Sequence, residues 1–181
     1  MMHFKITDVI DTTEQWLSLD VIRDHLRVYD PHDDVLLSEY LSAAVDFAET
    51  YMNRAINSKT VQATFSYQPR VYLPLGDVES IISVSARKNN QTITIPSAHY
   101  HVNFVSSEMM IDAIYQDCSD FVVEYKVGYK NIPSSVKLGI LKLIATWYEN
   151  REDVSNGVSV QAVPFNHLTC FNLHRIPVGG Q

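Results

Sequence analysis

The stretch Pro133–Asn150, PSSVKLGILKLIATWYEN, decides the fold, because its residues are satisfied only by being surrounded. Read at 3.6 residues per turn, Val136, Ile140, Leu143, Ile144 and Trp147 form one stripe. Leu138, Leu141, Ala145 and Tyr148 carry apolar surface around most of the remainder. The spacing predicts a central helix over 133–150, with Pro133 in the first turn and Asn131 as its cap. Gly139 costs about 1 kcal/mol inside a helix, so its presence implies close approach of another backbone. Trp147 on the stripe reads as a core anchor, and the apolar excess around the helix implies a face for another subunit.

Working outward, two helices are expected upstream. Residues 1–17 are weakly patterned and read as an extended N-terminal arm. Ser18 offers a cap for a helix over 19–28, built on Leu19, Ile22 and Leu26. Asp30 and Pro31 start another over 31–54, where Leu37, Tyr40, Leu41, Ala44, Phe47, Ala48 and Tyr51 repeat at helical spacing. Its apolar face needs the central helix, since neither buries its surface alone.

From Ser58 the period changes to two, and the β region extends over 58–128. Val61, Ala63, Phe65 and Tyr67 alternate with polar residues, as do Ile82, Val84 and Ala86. Pro69 and Pro74 bracket a turn, and Asn89–Asn90 mark another. Further strands are expected at 92–95, 99–104, 109–115 and 121–127. Short strands at this spacing mean antiparallel pairing and not βαβ units. The fold class is therefore α+β: a helical core of two N-terminal helices, a long central helix and a short C-terminal helix, with an inserted antiparallel β region. A single domain over 18–152 is followed by a segment 153–181, in which Phe165, Leu168, Phe171 and Leu173 are anchors of a short final helix.

Composition narrows the function. The formal charge is −7, and residues 1–54 hold eleven acids against four bases, which argues against a protein held to nucleic acid by phosphate contacts. Cys118 and Cys170 are too few for a disulfide framework or a zinc site and fit a reducing compartment. The first ten residues lack the apolar core of a signal peptide, and no apolar run reaches the length of a membrane span, so no membrane partner is expected. Phosphate loops, dinucleotide fingerprints and hydrolase or metalloprotease motifs are missing, and no cofactor is expected. His99 and His101, on one face of an expected strand, together with His32 and the Asp30–Asp34 loop, leave a small metal-dependent hydrolase as the alternative. Two alternating histidines on a strand more simply face solvent.

The stretch VGYKNIPSSVKLGILKLIATWYENRED, from Val127 to Asp153, resembles the signature of head-tail connector (adaptor) proteins of tailed bacteriophages. In that family a Gly-Tyr pair, a Pro-led helix and a closing Trp-Tyr-Glu-Asn-Arg-Glu string recur. SLDVIRDHLRVYDPHDDVLLSEYLSAAVDFAETYMNRA is similar to the family's opening helices, and LPLGDVESIISV resembles its proline-containing turn into a strand. VPFNHLTCFNLHRIPV is similar to its C-terminal helix, although Phe171-Asn172-Leu173-His174-Arg175 stands where a Leu-Leu-x-x-Tyr-Arg-like ending is usual. The resemblance covers about residues 18–177, with its specific part after Val127.

The resemblance implies a structural protein of the phage or prophage virion and no catalysis. Its expected place is the head-tail junction, after assembly in the bacterial cytoplasm. Partners implied are further copies in a homo-oligomeric ring, the portal protein, and tail-completion or head-closure proteins, with DNA passing through the channel without specific binding. Val136, Ile140, Leu143, Ile144, Trp147 and Tyr148 are the expected core and assembly residues; Phe165, Leu168, Phe171 and Arg175 are the expected portal-docking residues.

Overall fold

In a computed structural model describing residues 2–150 and 166–177, the Pro133–Asn150 stretch forms a helix, here α4, over Ser134–Glu149. Pro133 is its N-cap and not its first helical residue, and Asn131 lies outside the cap, a correction to the expected start. The chain divides into two compact units, one of Met1–Asp11, Asn53–Lys130 and Ile176–Gln181, the other of Thr12–Met52 and Asn131–Arg175. Antiparallel sheets make the first and helices the second, so the class is α+β.

The helical unit holds α1 (Thr13–Trp16), α2 (Leu19–Leu26), α3 (Asp34–Met52), α4 and α5 (His167–Asn172). Arg27 caps α2 at φ 58°, so the helix ends at Leu26, two residues short of the expected boundary. Pro31–Asp33 form a 3₁₀ turn before α3, with the Asp30 carboxylate accepting from the His32 N–H at 3.0 Å. Arg23 on α2 reaches Asp20 at 2.7 Å and Asp34 on α3 at 3.5 Å. The buried face of α3 is Leu37, Leu41, Ala44, Val45, Ala48 and Met52; that of α4 is Val136, Gly139, Ile140, Leu143 and Ile144. Each large aliphatic side chain removed from water in this way contributes about 1.5 to 3 kcal/mol.

Gly139 has a different cause from the one its sequence context suggests. A Cβ there would lie 2.5 Å from Cε1 of Phe171, so the close approach is by an aromatic ring and not by backbone. Phe171, on α5, is fully buried. Asn166 caps α5 through its side chain, which accepts from the Thr169 N–H at 3.3 Å. Ser135 and His174 are 2.7 Å apart, a second link between α4 and the chain after α5.

In the other unit, β1 (His3–Ile10), β2 (Ser58–Phe65), β8 (Ser119–Val127), β4 (Val78–Lys88) and β5 (Gln91–Thr94) form one sheet in that order. A second sheet is β3 (Arg70–Tyr72), β7 (Glu108–Ile111) and β6 (Tyr100–Asn103). Their facing sides share one core, in which Val61, Ala63, Phe121, Val123 and Tyr125 meet Val71, Val102, Met109 and Ile111. Register keeps alternate residues inward: Val61 lies opposite Tyr125, and Ala63 opposite Val123. The Tyr125 hydroxyl finds a partner in the Pro74 carbonyl at 3.2 Å, and burial pushes its pKa up. Asn89 and Asn90 both take positive φ in the two-residue turn between β4 and β5, as a twisted hairpin requires.

Several expectations change here. The arm over 1–17 is a strand followed by a helical turn. Pro69 and Pro74 enclose β3 where a simple turn was expected, because a three-residue strand shows no alternation to read. His99 closes a 3₁₀ turn and the strand begins at Tyr100; likewise Ala113–Tyr115 is a 3₁₀ turn after the strand that ends at Ile111.

The ring-to-glycine contact sets the first prediction. Gly139→Ala should lower stability, although alanine favours a helix by about 1 kcal/mol, and Phe171→Ala should cost about 3 to 5 kcal/mol. In the Phe171→Ala background the Gly139→Ala change should become neutral or stabilising, a coupling that urea unfolding of the four proteins measures.

Candidate functional site

On the helical unit, an aromatic layer joins α3, α4 and α5. Phe47 is its centre, with ring centroids 6.4 Å from Trp147, 6.1 Å from Tyr51, 6.0 Å from His167 and 6.4 Å from Phe171. Tyr40 adds a contact with Trp147 at 6.1 Å. Phe47 remains 38% exposed, so the layer reaches the surface. The Arg175 guanidinium sits 5.1 Å from the centroid of the Tyr51 ring, whose hydroxyl donates to Asn172 at 2.8 Å. Such a half-buried aromatic and arginine surface has the composition of a protein interface core.

The expected core and assembly residues divide along this layer. Val136, Ile140, Leu143 and Ile144 are buried, whereas Trp147 and Tyr148 are half-buried. Trp147 is therefore a member of the aromatic layer and not a core anchor, and the Tyr148 hydroxyl donates to Asp33 at 2.6 Å. Among the expected docking residues, Phe171 is corrected: with its ring filling the space above Gly139, it has no free face to offer a partner. Leu168 is half-buried, Arg175 is exposed, and Phe165 lies outside the described residues. Among the described residues of this segment, Leu173 is the large apolar side chain that stands exposed, at 73%.

The sheet unit carries a groove of about 630 Å³, bordered by Phe4, Arg54, Tyr72, Leu75, Val105 and Ile176 among others. Five of its lining residues take positive φ: Asn53 at 52°, Leu75 at 67°, Gly76 at 62°, Asp77 at 36° and Ser107 at 55°. Backbone held in this region persists only where neighbours overdetermine it. Here the Ala55 N–H donates to the Leu75 carbonyl at 3.1 Å, the Leu73 N–H to Ser107 at 2.9 Å, and the Gly128 N–H to Asp77 at 3.3 Å. The Arg54 guanidinium binds the Asp77 carboxylate and lies 5.5 Å from the Tyr129 ring centroid. Burial raises the Tyr129 pKa, with Arg54 opposing and Asp77 assisting. A Cβ on Gly76 would meet Ile176 Cδ1 at 2.6 Å, so glycine suits both the positive φ of 62° and the close approach of that side chain. The turn LPLGDV belongs to the stretch that carries the family resemblance, but its pairing with Arg54 is not legible in sequence.

His99 Nδ1 lies 3.0 Å from Asp112 Oδ2, while His101 stands on β6 opposite Met110. His32, Asp33 and Asp34 belong to the other unit. Among the described residues no three His, Cys, Asp or Glu side chains converge on one point.

Two outcomes are expected. Arg54→Ala leaves the Asp77 carboxylate without its charged donor and should cost about 1 to 3 kcal/mol in urea unfolding. Burial lowers the His167 pKa, so the unfolded chain takes up that proton first and stability falls as pH drops through the unfolded value near about 6.5, levelling off below the folded one. Thermal melts across that range should show a smaller acid loss for His167→Phe than for the parent.

The family model described as phage gp6-like head-tail connector protein matches residues 17–114, more than half of the chain. That span takes in the opening helices and most of the β region and ends before the Val127–Asp153 stretch. No curated relative matches the chain. Solved structures share the fold: a chain in the virion of the native gene transfer agent (GTA) particle aligns with a TM-score of 0.73 at 17% identity, covering 98% of both chains. A chain in the neck of the empty GTA particle computed with C6 symmetry gives 0.72 at 19% identity, and one in the neck of the native GTA particle computed with C12 symmetry gives 0.70 at 17%, each again covering 98% of both chains. With its helical unit, its paired antiparallel sheets and this match, the chain belongs to the phage gp6-like head-tail connector family.

Proposed function

We propose that this protein is a virion component at the head-tail junction, assembling as a closed ring on the portal vertex and giving tail-completion or head-closure proteins a second surface to bind. The observation that carries the reading is the family match over 17–114; the likeness to neck chains over nearly the whole length supports it. The role is mechanical and needs no catalytic group. A ring subunit needs rigid units and adhesive surfaces, and the half-buried aromatic layer and the apolar side of β1 are of that kind.

Charge fits a channel for DNA. Asp20, Asp24, Asp30, Glu39 and Asp46 are exposed on the helical unit. Acidic surface facing the channel repels phosphates and lets the duplex slide, where a basic lining would hold it. Portal docking falls to the chain around α5, with Leu173 and Arg175 as its exposed contacts. No helix among the described residues is long and apolar enough to cross a membrane.

Native mass spectrometry over a concentration series, alone and with portal, should show one closed multimer in at least one condition. A strict monomer in both would remove the ring.

A further inference from the structure

Two edges of the five-stranded sheet differ in character. β1 is the outer strand of the five-stranded sheet, bonded on one side to β2, and all eight of its residues are exposed. Its Phe4 and Ile6 lie opposite Ala63 and Val61, whose side chains are in the core. The register shift between Ile6 and Asp8 then places Val9 opposite Lys59, which keeps it on the same side as Phe4 and Ile6. The apolar face of the sheet thus continues onto β1 with about half of each side chain uncovered: Phe4 is 46%, Ile6 44% and Val9 50% exposed. Long exposed edges of this kind are ordinarily blunted by charge, proline or shortness. β1 has eight residues and no proline; Lys5, Asp8 and the bulge between Ile6 and Asp8 are the blunting devices it carries.

The second edge is on β4. β5 pairs only with Ser85–Lys88, so among the described residues the first part of β4, Val78–Ser83, has ladder partners on the β8 side alone. Ile82 in this part is 49% exposed. At about 3.3 Å per residue, this six-residue edge matches most of β1 in length. Charge is complementary as well, with exposed Lys5 on β1 and exposed Glu79 on β4.

Resting on the ring reading, we propose that neighbouring copies join by strand addition, β1 of one copy lying along the open edge of β4 in the next. Main-chain hydrogen bonds then run from sheet to sheet, and Phe4, Ile6 and Val9 are covered by the neighbour. Two different edges of the same chain make a heterologous contact, the type that a cyclic ring requires. An isologous pairing of two β1 strands would stop at a dimer and leave β4 open. β5 is the weaker acceptor, since its Gln91–Thr94 offers only four residues.

The test is disulfide capture in the full chain with Cys170→Ser. Within one copy β1 and β4 are three strand spacings apart, about 14 Å, beyond the reach of a disulfide. Mild oxidation of variants pairing Lys5→Cys or Ile6→Cys with Ile82→Cys should give a ladder of covalent multimers that each single variant lacks. Lys5→Glu should weaken assembly about tenfold, the scale of one like-charge contact, and Glu79→Lys should restore it. If the parent assembles but yields neither a ladder nor a charge-reversal effect, strand addition is overturned and the ring stands. Dimers from the β1 cysteine alone would also overturn it. A parent that is monomeric with and without portal removes the ring itself, and this contact with it.

Discussion

The ring of Phe171 resting on the bare Cα of Gly139 is the constraint around which the helical unit is arranged. It holds a six-residue helix, too short to be stable alone, against the central helix. It also explains a glycine that would otherwise weaken α4 in its middle. Because the ring is buried, the aromatic layer beside it has a firm base, and Phe47, Trp147 and His167 are positioned at the surface by packing. Aromatic side chains held in this way are pre-organised and lose little entropy in any contact they make.

The sheet unit uses a different device. Consecutive positive φ at Leu75, Gly76 and Asp77 forces the chain through a tight corner before β4, and the Arg54–Asp77 pair together with two main-chain hydrogen bonds, from Ala55 to Leu75 and from Gly128 to Asp77, holds it there. The groove beside it is walled by this corner, so its form depends on polar contacts and not only on apolar burial. Among the described residues no three His, Cys, Asp or Glu side chains converge on one point.

The two units rely on different signals in the chain. Helical periodicity in α3 and α4 and strict alternation in β2 and β8 are properties of single segments, so these elements can be read before any contact is known. β1 and β3 resist that reading. β1 has apolar residues on both sides and a bulge that breaks its period, and β3 is only three residues long; both become strands by pairing with distant partners, β2 and β7. His99 falls outside its expected strand for a related reason: a 3₁₀ turn over Ser97–His99 precedes the strand, which begins at Tyr100.

By itself the sequence determined the α+β class, the central helix with its buried stripe of Val136, Ile140, Leu143 and Ile144, the Asn89–Asn90 hairpin and the resemblance to connectors. These rest on local periodicity and local backbone preference. Only the tertiary structure decided that Gly139 accommodates the Phe171 ring, that Trp147 belongs to a surface layer, that Arg54 closes the Leu75–Asp77 corner, and that β1 leaves an apolar face open. Each of those depends on residues far apart in the chain coming within a few ångströms. That proximity is set by the packing of whole elements and leaves no periodic trace in either segment alone.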